Sequence, residues 1–167
     1  YPCDTLILSV GLIPENELTI GAGAVMDDHT KGPVVDEFCQ TSVPGLFAAG
    51  NVLHVHDLVD FVSLEAEALA DGAAAYVQEG SLPACNIPIN CGANVGHTIP
   101  QKITGARDFQ LSLRVRKPIE NAVIRVMDGD REIARRKVRK ALPAEMIQFT
   151  VKAKYLTDVS ELIVSAE

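Results

Sequence analysis

The sequence predicts an α/β segment followed by a small, all-β, antiparallel sandwich-like domain. Three features predict this fold. The spacing of the hydrophobic residues changes along the chain, the net charge changes sign, and a stretch rich in proline and glycine lies between the two patterns. We therefore divide the 167-residue chain into an α/β part at residues 1–82, a linker at 83–105 and a β-sandwich domain at 106–167.

The first half of the α/β part contains short apolar runs separated by turns. Residues 5–10 form a nearly continuous apolar run before a glycine, which is typical of a strand buried on both faces of a parallel sheet. Residues 33–36 and 46–49 indicate two further short strands. Glycine and aspartate dominate residues 15–31, for which we predict a loop.

Residues 58–79 are predicted to form a helix. Apolar side chains recur there at spacings of three and four residues and so lie on one face: Leu58, Val62, Ala66, Leu69, Ala73 and Tyr76. Many of the neighbouring residues are alanines, so this helix should pack very close to another backbone. Gly80 is placed to end the helix, and Pro83 excludes its continuation.

From residue 109 onward, apolar and polar residues alternate as they do in half-buried strands. Residues 128–130, Asp-Gly-Asp, provide a hairpin turn. Five short strands and no helix are predicted in this part, which is typical of a small antiparallel β-sandwich. The predicted strands cover residues 111–115, 123–127, 133–138, 147–151 and 162–164.

Charge divides the chain at the same place. Residues 1–80 contain one basic and thirteen acidic residues, a net charge of −12, whereas residues 81–167 carry +5. This acidity argues against nucleic acid as a partner. No apolar run reaches the roughly 20 residues that a membrane helix needs, so we expect no membrane partner and a cytoplasmic location. Tyr1 rather than Met stands first, and we expect a piece of a longer protein.

The segment from Gly32 to Asn51 resembles a motif of the FAD- and NAD(P)-dependent pyridine-nucleotide oxidoreductases. Their second flavin-contacting motif has a threonine, a short spacer, an apolar strand, two small residues and Gly-Asp. Asn51 replaces the usual aspartate. Residues 3–17 are similar to the strand by which these enzymes return from the NAD domain to the FAD domain, and the alanine-rich helix is similar to their closing helix. The matching residues of the motif are Thr41, Pro44, Leu46, Phe47, Ala48, Ala49 and Gly50.

This resemblance implies a fold and a set of cofactor contacts. The α/β part would be the end of a flavoprotein fold with two dinucleotide-binding domains, and the cofactors of the full-length protein would be FAD and NAD(P). The family aspartate accepts a hydrogen bond from a ribityl hydroxyl of FAD, and an asparagine can accept one through its amide oxygen. The cofactor-binding residues implied are Gly11, Gly50, Asn51, Val52 and Ser63.

An FAD site of this family also needs a Gly-x-Gly-x-x-Gly turn, which the sequence lacks. Residues 21–26 come near to it, but the last position is Met26, and we predict a loop there. The resemblance therefore implies the C-terminal portion of an FAD-dependent oxidoreductase, whose partner is the missing N-terminal FAD and NAD domains of the same protein. We also expect a homo-oligomer, because the α/β part should expose strand edges and apolar surface. No catalytic residue can be assigned. The alternative is a non-enzymatic β-sandwich interaction module attached to a partial α/β domain.

Two other groups of residues were weighed as metal sites. His54, His56 and Asp57 place two imidazoles on one side of an extended segment, as in some metal enzymes. Further ligands would have to come from elsewhere in the chain, so we expect no metal there; in the intact enzyme these histidines could instead lie near the flavin. Cys85, Cys91 and His97 are spaced six residues apart, which is wider than a typical zinc motif, so free thiols at a domain junction are expected, or a Cys85–Cys91 disulfide in an oxidising compartment. Small, buried, apolar surroundings are expected for Cys3 and Cys39.

Overall fold

A computed structural model of the protein describes residues 2–8 and 11–167. The residues described before position 83 form two α-helices, α1 (Glu17–Gly21) and α2 (Val59–Glu79), and one 3₁₀ turn at Gly50–Val52, here called the Gly50 turn. The part after it contains eight strands, β1 to β8, and a second 3₁₀ turn at Ala153–Tyr155. The described residues thus form a small α/β structure whose strands are mostly antiparallel.

The strands predicted before residue 50 are absent from the described residues. Residues 5–8 belong to no strand, and Leu6, Ile7 and Leu8 are exposed. Ser9 and Val10 of the same predicted strand lie outside the described residues. A strand that is buried on both faces needs neighbouring strands in its sheet, and residues 2–8 pair with none.

Residues 33–36 and 46–49 make isolated bridges instead of the predicted strands. Val35 pairs with Thr41, and Gln40 pairs with Phe47, each over one residue. Longer pairing is prevented because the backbone reverses at Cys39, which has φ 62°, and at Gly45, which has φ 78°. The predicted loop at residues 15–31 is also interrupted, by the one-turn helix α1.

The long helix α2 confirms the prediction for residues 58–79 to within one residue. Gly80 ends it in a left-handed conformation and donates its N–H to Tyr76 at 2.8 Å. Gly72 is the one fully buried residue of α2, because the backbone of Phe38 passes directly over it. The predicted apolar face is right only in part, since Leu58 and Ala66 are exposed. No helix in the described part of the chain has the length and apolar character needed to cross a membrane.

The strands of the C-terminal part form two sheets. One has the order β3-β1-β8-β5-β6 and the other β2-β4-β7. All pairs are antiparallel except β1 with β8, which run parallel. The strands are β1 (Ile87–Cys91), β2 (Val95–Ile99), β3 (Lys102–Ile103), β4 (Phe109–Val115), β5 (Ile119–Asp128), β6 (Arg131–Ala141), β7 (Ile147–Val151) and β8 (Leu162–Ala166).

Residues 83–105 contain β1, β2 and β3, although the sequence analysis expected an irregular linker there. Ile89 of β1 and Val95 of β2 are buried in the same apolar cluster as Leu111 of β4 and Ile124 of β5. The prolines and glycines that suggested a linker lie at turns and strand ends of the β part. The five strands predicted farther along the chain are all present, and Gly129-Asp130 forms the predicted hairpin turn between β5 and β6.

Contacts join the β part to residues 24–57. Gln101 accepts the backbone N–H of Val35 through its side-chain oxygen at 2.9 Å. The backbone N–H of Thr104 donates to Glu37 at 3.2 Å, and Asp36 pairs with Lys102 as an isolated parallel bridge. A second, smaller apolar cluster includes Val35 and Leu53 from the first part together with Ile99 from β2. These contacts fix the Gly50 turn and the loop after it against the strands.

Candidate functional site

The Gly50 turn is built around a backbone conformation that favours glycine. Gly50 is buried and has φ 74°, and its carbonyl accepts the N–H groups of Leu53 at 2.9 Å and His54 at 3.2 Å. A Cβ at this position would lie 3.1 Å from Cγ1 of Val62. The Gly50 turn therefore connects the segment that resembles the flavin-contacting motif to the loop before α2, with a sharp change in chain direction.

Glu65, on the second turn of α2, connects the turn and the loop. Its Oε2 accepts the backbone N–H of Gly50 at 2.6 Å. Oε1 lies 2.8 Å from Nε2 of His54, and Oε2 lies 3.0 Å from Nε2 of His56. The two imidazoles are 1% and 2% exposed and the carboxylate is 13% exposed, so three titratable groups share one nearly dry site.

Glu65 is ionised at neutral pH in this environment. Burial raises the pKa of its carboxyl group, but the hydrogen bond and positive charge of His54, together with the N–H of Gly50, outweigh burial and lower the pKa below its ordinary value. A buried carboxylate with three hydrogen-bond partners holds their geometry tightly, because the loss of any one would leave part of its charge unsatisfied.

His97 of β2 approaches the same histidines from the β part. Its ring centroid lies 6.0 Å from that of His54, and the rings of His54 and His56 are 4.3 Å apart. Burial, together with the charges of His54 and Arg114, lowers the pKa of His97 to about 4. His97 is therefore neutral at physiological pH.

Asp57 ties the loop that carries the histidines to β4 and β7. Its carboxylate accepts hydrogen bonds from the guanidinium of Arg114 and, at 2.7 Å, from the backbone N–H of Met146. Arg114 also donates to the carbonyl of Val55 at 2.9 Å. Asp57 therefore anchors the loop to the strands and does not join the histidines, which differs from the grouping considered from sequence.

The residues implied as cofactor contacts are brought together only in part. Asn51 is exposed beside Gly50, and its side-chain oxygen accepts the N–H of His56 at 3.1 Å. Val52 is half-buried in the same turn, and its carbonyl accepts the side-chain amide of Asn16 at 2.9 Å. Ser63 is exposed on the first turn of α2. Gly11 is exposed outside any helix or strand.

A cleft of about 370 Å³ lies between α2 and β4 and borders the Glu65 site. Glu65, Phe61 and Leu64 line it from α2, and Phe109 and Ser112 line it from β4. Cys39 also lines it; burial, reinforced by the charge of Glu65, raises the pKa of its thiol to about 12. That thiol is protonated and a poor nucleophile at neutral pH.

Among the residues that the structure describes, Cys85, Cys91 and His97 belong to no common group of three potential metal ligands. Cys85 and Cys91 are free thiols, and burial raises the pKa of Cys85 to about 12. Cys91 contacts Thr98 through its sulfur at 3.9 Å. Cys3 is exposed, which corrects the expectation of a buried side chain, and Cys39 is half-buried.

Sequence reasoning identified the two histidines, grouped His97 with Cys85 and Cys91 instead, and missed Glu65 and Arg114. Glu65 lies 9 and 11 residues after the histidines, a spacing set by the loop and by where α2 begins. Glu65 lies on the same helical face as Val62 and Leu69, which are partly buried. A carboxylate on a packed face needs hydrogen-bond partners, so its position in the helical pattern is a sequence signal that could have identified Glu65. The contacts of His97 and Arg114 depend on tertiary packing, for which the sequence has no local signal.

Comparison with known proteins supports the resemblance. Residues 1–75 match the family model described as pyridine nucleotide-disulphide oxidoreductase. A stretch of 51 residues is 39% identical to the probable ferredoxin reductase CtmF of Castellaniella defragrans; it covers 30% of this chain but only 12% of that protein. No solved structure gives a significant match to the chain. Residues 1–75 of this chain are therefore similar to the pyridine nucleotide-disulphide oxidoreductase family, and the chain spans only a small part of the relative's length.

Proposed function

We propose that this chain is the C-terminal portion of an FAD-dependent oxidoreductase that passes electrons between NAD(P)H, flavin and a further acceptor or substrate. The observation that carries the proposal is the Gly50 turn, which lies inside the segment that matches the family and is held by a dedicated carboxylate. The relative named a probable ferredoxin reductase agrees with an electron-transfer role.

The residues at the Gly50 turn fit a role in holding FAD. Gly50 has no side chain to obstruct an approaching ligand. The side chain of Asn51 is exposed beside it, and its amide oxygen has a second lone pair besides the one used by His56. We propose that Asn51 accepts a ribityl hydroxyl, that the backbone at Val52 and the side chain of Ser63 lie along the ring system, and that Gly11 contributes from the preceding segment. Bound FAD would supply the reversible electron storage, while these residues orient it.

The exposed apolar surface of the part before residue 83 is evidence for a partner domain that packs against it. Many of the large apolar residues that the structure describes in this part are exposed, and exposed apolar surface often marks an interaction site. We propose that the FAD- and NAD-binding domains of the same protein cover them, and that NAD(P) binds to those domains. The same surface would make the chain by itself a homo-oligomer. The residues are Leu6, Ile7, Leu8, Leu12, Ile13, Leu18, Ile20, Val25, Leu58, Val59, Leu64 and Val77.

The β part, in this proposal, is a sandwich domain that supports the site. Its two sheets contribute to one buried apolar cluster, and Arg114 and Met146 hold the carboxylate of Asp57. These contacts favour a supporting role over a free interaction module, because they direct the strands toward the loop that follows the Gly50 turn.

Flavin content of the full-length protein tests the proposal. The purified protein should show visible flavin absorbance after desalting, and NAD(P)H should bleach that absorbance under anaerobic conditions as the flavin is reduced. A full-length protein that is folded, has been supplied with FAD during refolding and still elutes colourless would refute the proposal.

A further inference from the structure

We propose that His54, His56 and Glu65 bind a first-row divalent transition-metal ion, for which Zn²⁺ is the probe. The sequence shows the two imidazoles but indicates no further ligand for them, so it predicts no metal there. The structure supplies the missing carboxylate from α2. One ring nitrogen of each histidine and a carboxylate oxygen of Glu65 lie within 4.8 Å of one another. Two imidazole nitrogens and one carboxylate oxygen are a ligand set that zinc and its neighbours prefer.

The distances between the ligand atoms are close to those of an occupied site. Tetrahedral ligands at zinc lie about 3.3 Å from one another, given bond lengths of about 2.0–2.1 Å. Here Nε2 of His54 is 2.8 Å and Nε2 of His56 is 3.0 Å from oxygens of the same carboxylate. For each of these two nitrogen–oxygen pairs, a cation would require the atoms to move apart by only about 0.5 Å or less.

The surroundings orient the ligands. The N–H of Gly50 donates to Oε2 of Glu65, which is the kind of hydrogen bond that fixes a ligating carboxylate in metalloproteins. His54 and His56 are held in place by burial and by the loop that Asp57 anchors. The net charge of −12 on residues 1–80 attracts cations toward this part of the chain.

Three protein ligands leave at least one coordination position for water or another small molecule. Glu65 also borders the cleft between α2 and β4, so a ligand could reach that position from the cleft. This inference depends on the side chains of this chain alone and not on flavin binding. Failure to bind metal would therefore leave the proposed oxidoreductase function unaffected, and loss of flavin would leave this proposal unaffected.

Metal binding predicts a defined change in the histidines. Without metal, each Nε2 must carry a proton to donate to Glu65. With metal, Nε2 offers its lone pair to the ion and the proton resides on Nδ1. Zinc should therefore remove the proton from Nε2 of both rings and leave Nδ1 protonated, which ¹⁵N NMR of the histidine side chains measures directly.

The binding experiment is a calorimetric titration of the chelator-treated full chain with ZnCl₂ at neutral pH. We expect binding saturable near one ion per chain. His56→Gln and Glu65→Gln should each weaken it by at least about 100-fold, since even outer-shell partners are worth about 10- to 100-fold. His29→Gln is the matched control, because His29 is exposed and lies outside the cluster, and it should leave the affinity unchanged.

X-ray absorption at the zinc edge separates this site from zinc held by the free cysteines. The proposed ligands give only nitrogen and oxygen at about 2.0–2.2 Å, whereas thiolates give sulfur at about 2.3 Å. Sulfur ligation, undiminished affinity in folded Glu65→Gln and His56→Gln, or no uptake at micromolar zinc would each overturn the proposal. If both variants fail to fold, the loss of the Nε2 protons in the wild-type chain decides it, because Nε2 atoms that stay protonated under saturating zinc exclude coordination by the two histidines.

Discussion

Met146 donates its backbone N–H to the carboxylate of Asp57 at 2.7 Å, across 89 residues of sequence. The same carboxylate accepts the guanidinium of Arg114, whose side chain is only 15% exposed. Asp57 follows immediately after the segment that carries His54 and His56. The strands of the β part therefore determine where that segment lies, although it belongs to the part of the chain that matches the family.

Replacing Arg114 by alanine should release the loop. Arg114 makes charge-assisted hydrogen bonds to Asp57 and to the carbonyl of Val55, so Arg114→Ala should lower the free energy of unfolding by about 1.5–3 kcal/mol. Hydrogen exchange should become faster at residues 54–57. Arg131→Ala is the control: Arg131 pairs with Asp128 but is 48% exposed, and it should cost less than about 1 kcal/mol. Equal effects of the two substitutions in urea denaturation would contradict the anchoring role.

His97 should make stability depend on pH in the mildly acidic range. Its pKa is lowered by burial from 6.5 to about 4 in the folded chain, so the unfolded chain binds a proton more readily between those values. The contribution is fully present above pH 6.5 and is lost as the pH falls toward about 4. The loss amounts to about 3 kcal/mol over that window.

The matched pair for this test is His97→Asn and His29→Asn, since His29 is exposed. Urea denaturation at several pH values should show a smaller loss of stability on acidification for His97→Asn than for the wild type. His29→Asn should follow the wild-type curve. Parallel curves for all three chains would show that His97 is not the buried neutral base described here.

Gly72 should tolerate no side chain even though it lies inside a helix. A Cβ at Gly72 would be 2.4 Å from the carbonyl oxygen of Phe38, so Gly72→Ala should destabilise the chain by about 1–3 kcal/mol or shift α2 outward. The control is Gly21→Ala in α1, where nothing lies within 4 Å of the added Cβ; it should be neutral or stabilise by up to about 1 kcal/mol. Chemical denaturation measures both. A stable Gly72→Ala would mean that α2 does not approach Phe38 so closely.

The sequence predicted those elements whose hydrophobic pattern is local. α2 and the strands from β4 onward follow from periodicity and turn residues, and their cores are filled by the residues that the pattern selects. β1 and β2 were missed because Pro88, Gly92 and Gly96 interrupt their pattern, although these residues lie at or near strand ends and turns. The Glu65 site was missed for another reason, since a turn, a loop and a helix meet there only through tertiary packing.

Because β1 and β2 pack in the β part, that part needs the residues of these two strands in order to fold alone. Residues 101–167 lack Ile89 and Val95, which are buried in its apolar cluster. We expect a chain of residues 84–167 to fold by itself with a cooperative thermal transition, and a chain of residues 101–167 to remain largely unfolded. Circular dichroism and calorimetry compare the two. A cooperative transition for residues 101–167 would place the boundary where the sequence pattern alone suggested it.

Substitutions of Asn51 give the most sensitive test of the proposed flavin site, through the affinity for FAD. Gly50→Val is a harsh test, because φ 74° and the nearby Val62 strain any side chain there even without a ligand. Asn51 is exposed, so its replacement by alanine should leave the fold intact. If Asn51 binds the ribityl chain as proposed, this replacement removes one neutral hydrogen bond, worth about 0.5–1.5 kcal/mol, and FAD affinity should fall about two- to twelvefold.

Asn51→Asp restores the family residue and should bind FAD as tightly as the wild type or more tightly, because a carboxylate is the stronger acceptor of a hydroxyl proton. Gln78→Ala is the control: Gln78 is an exposed amide near the end of α2, far from the Gly50 turn along the chain, and its replacement should not change the affinity. Fluorescence titration of the full-length apoprotein with FAD measures all three variants. If Asn51→Ala binds FAD as the wild type and Gln78→Ala do, no hydrogen bond joins Asn51 to the cofactor. The Gly50 turn would then serve only to position Glu65 and the histidines.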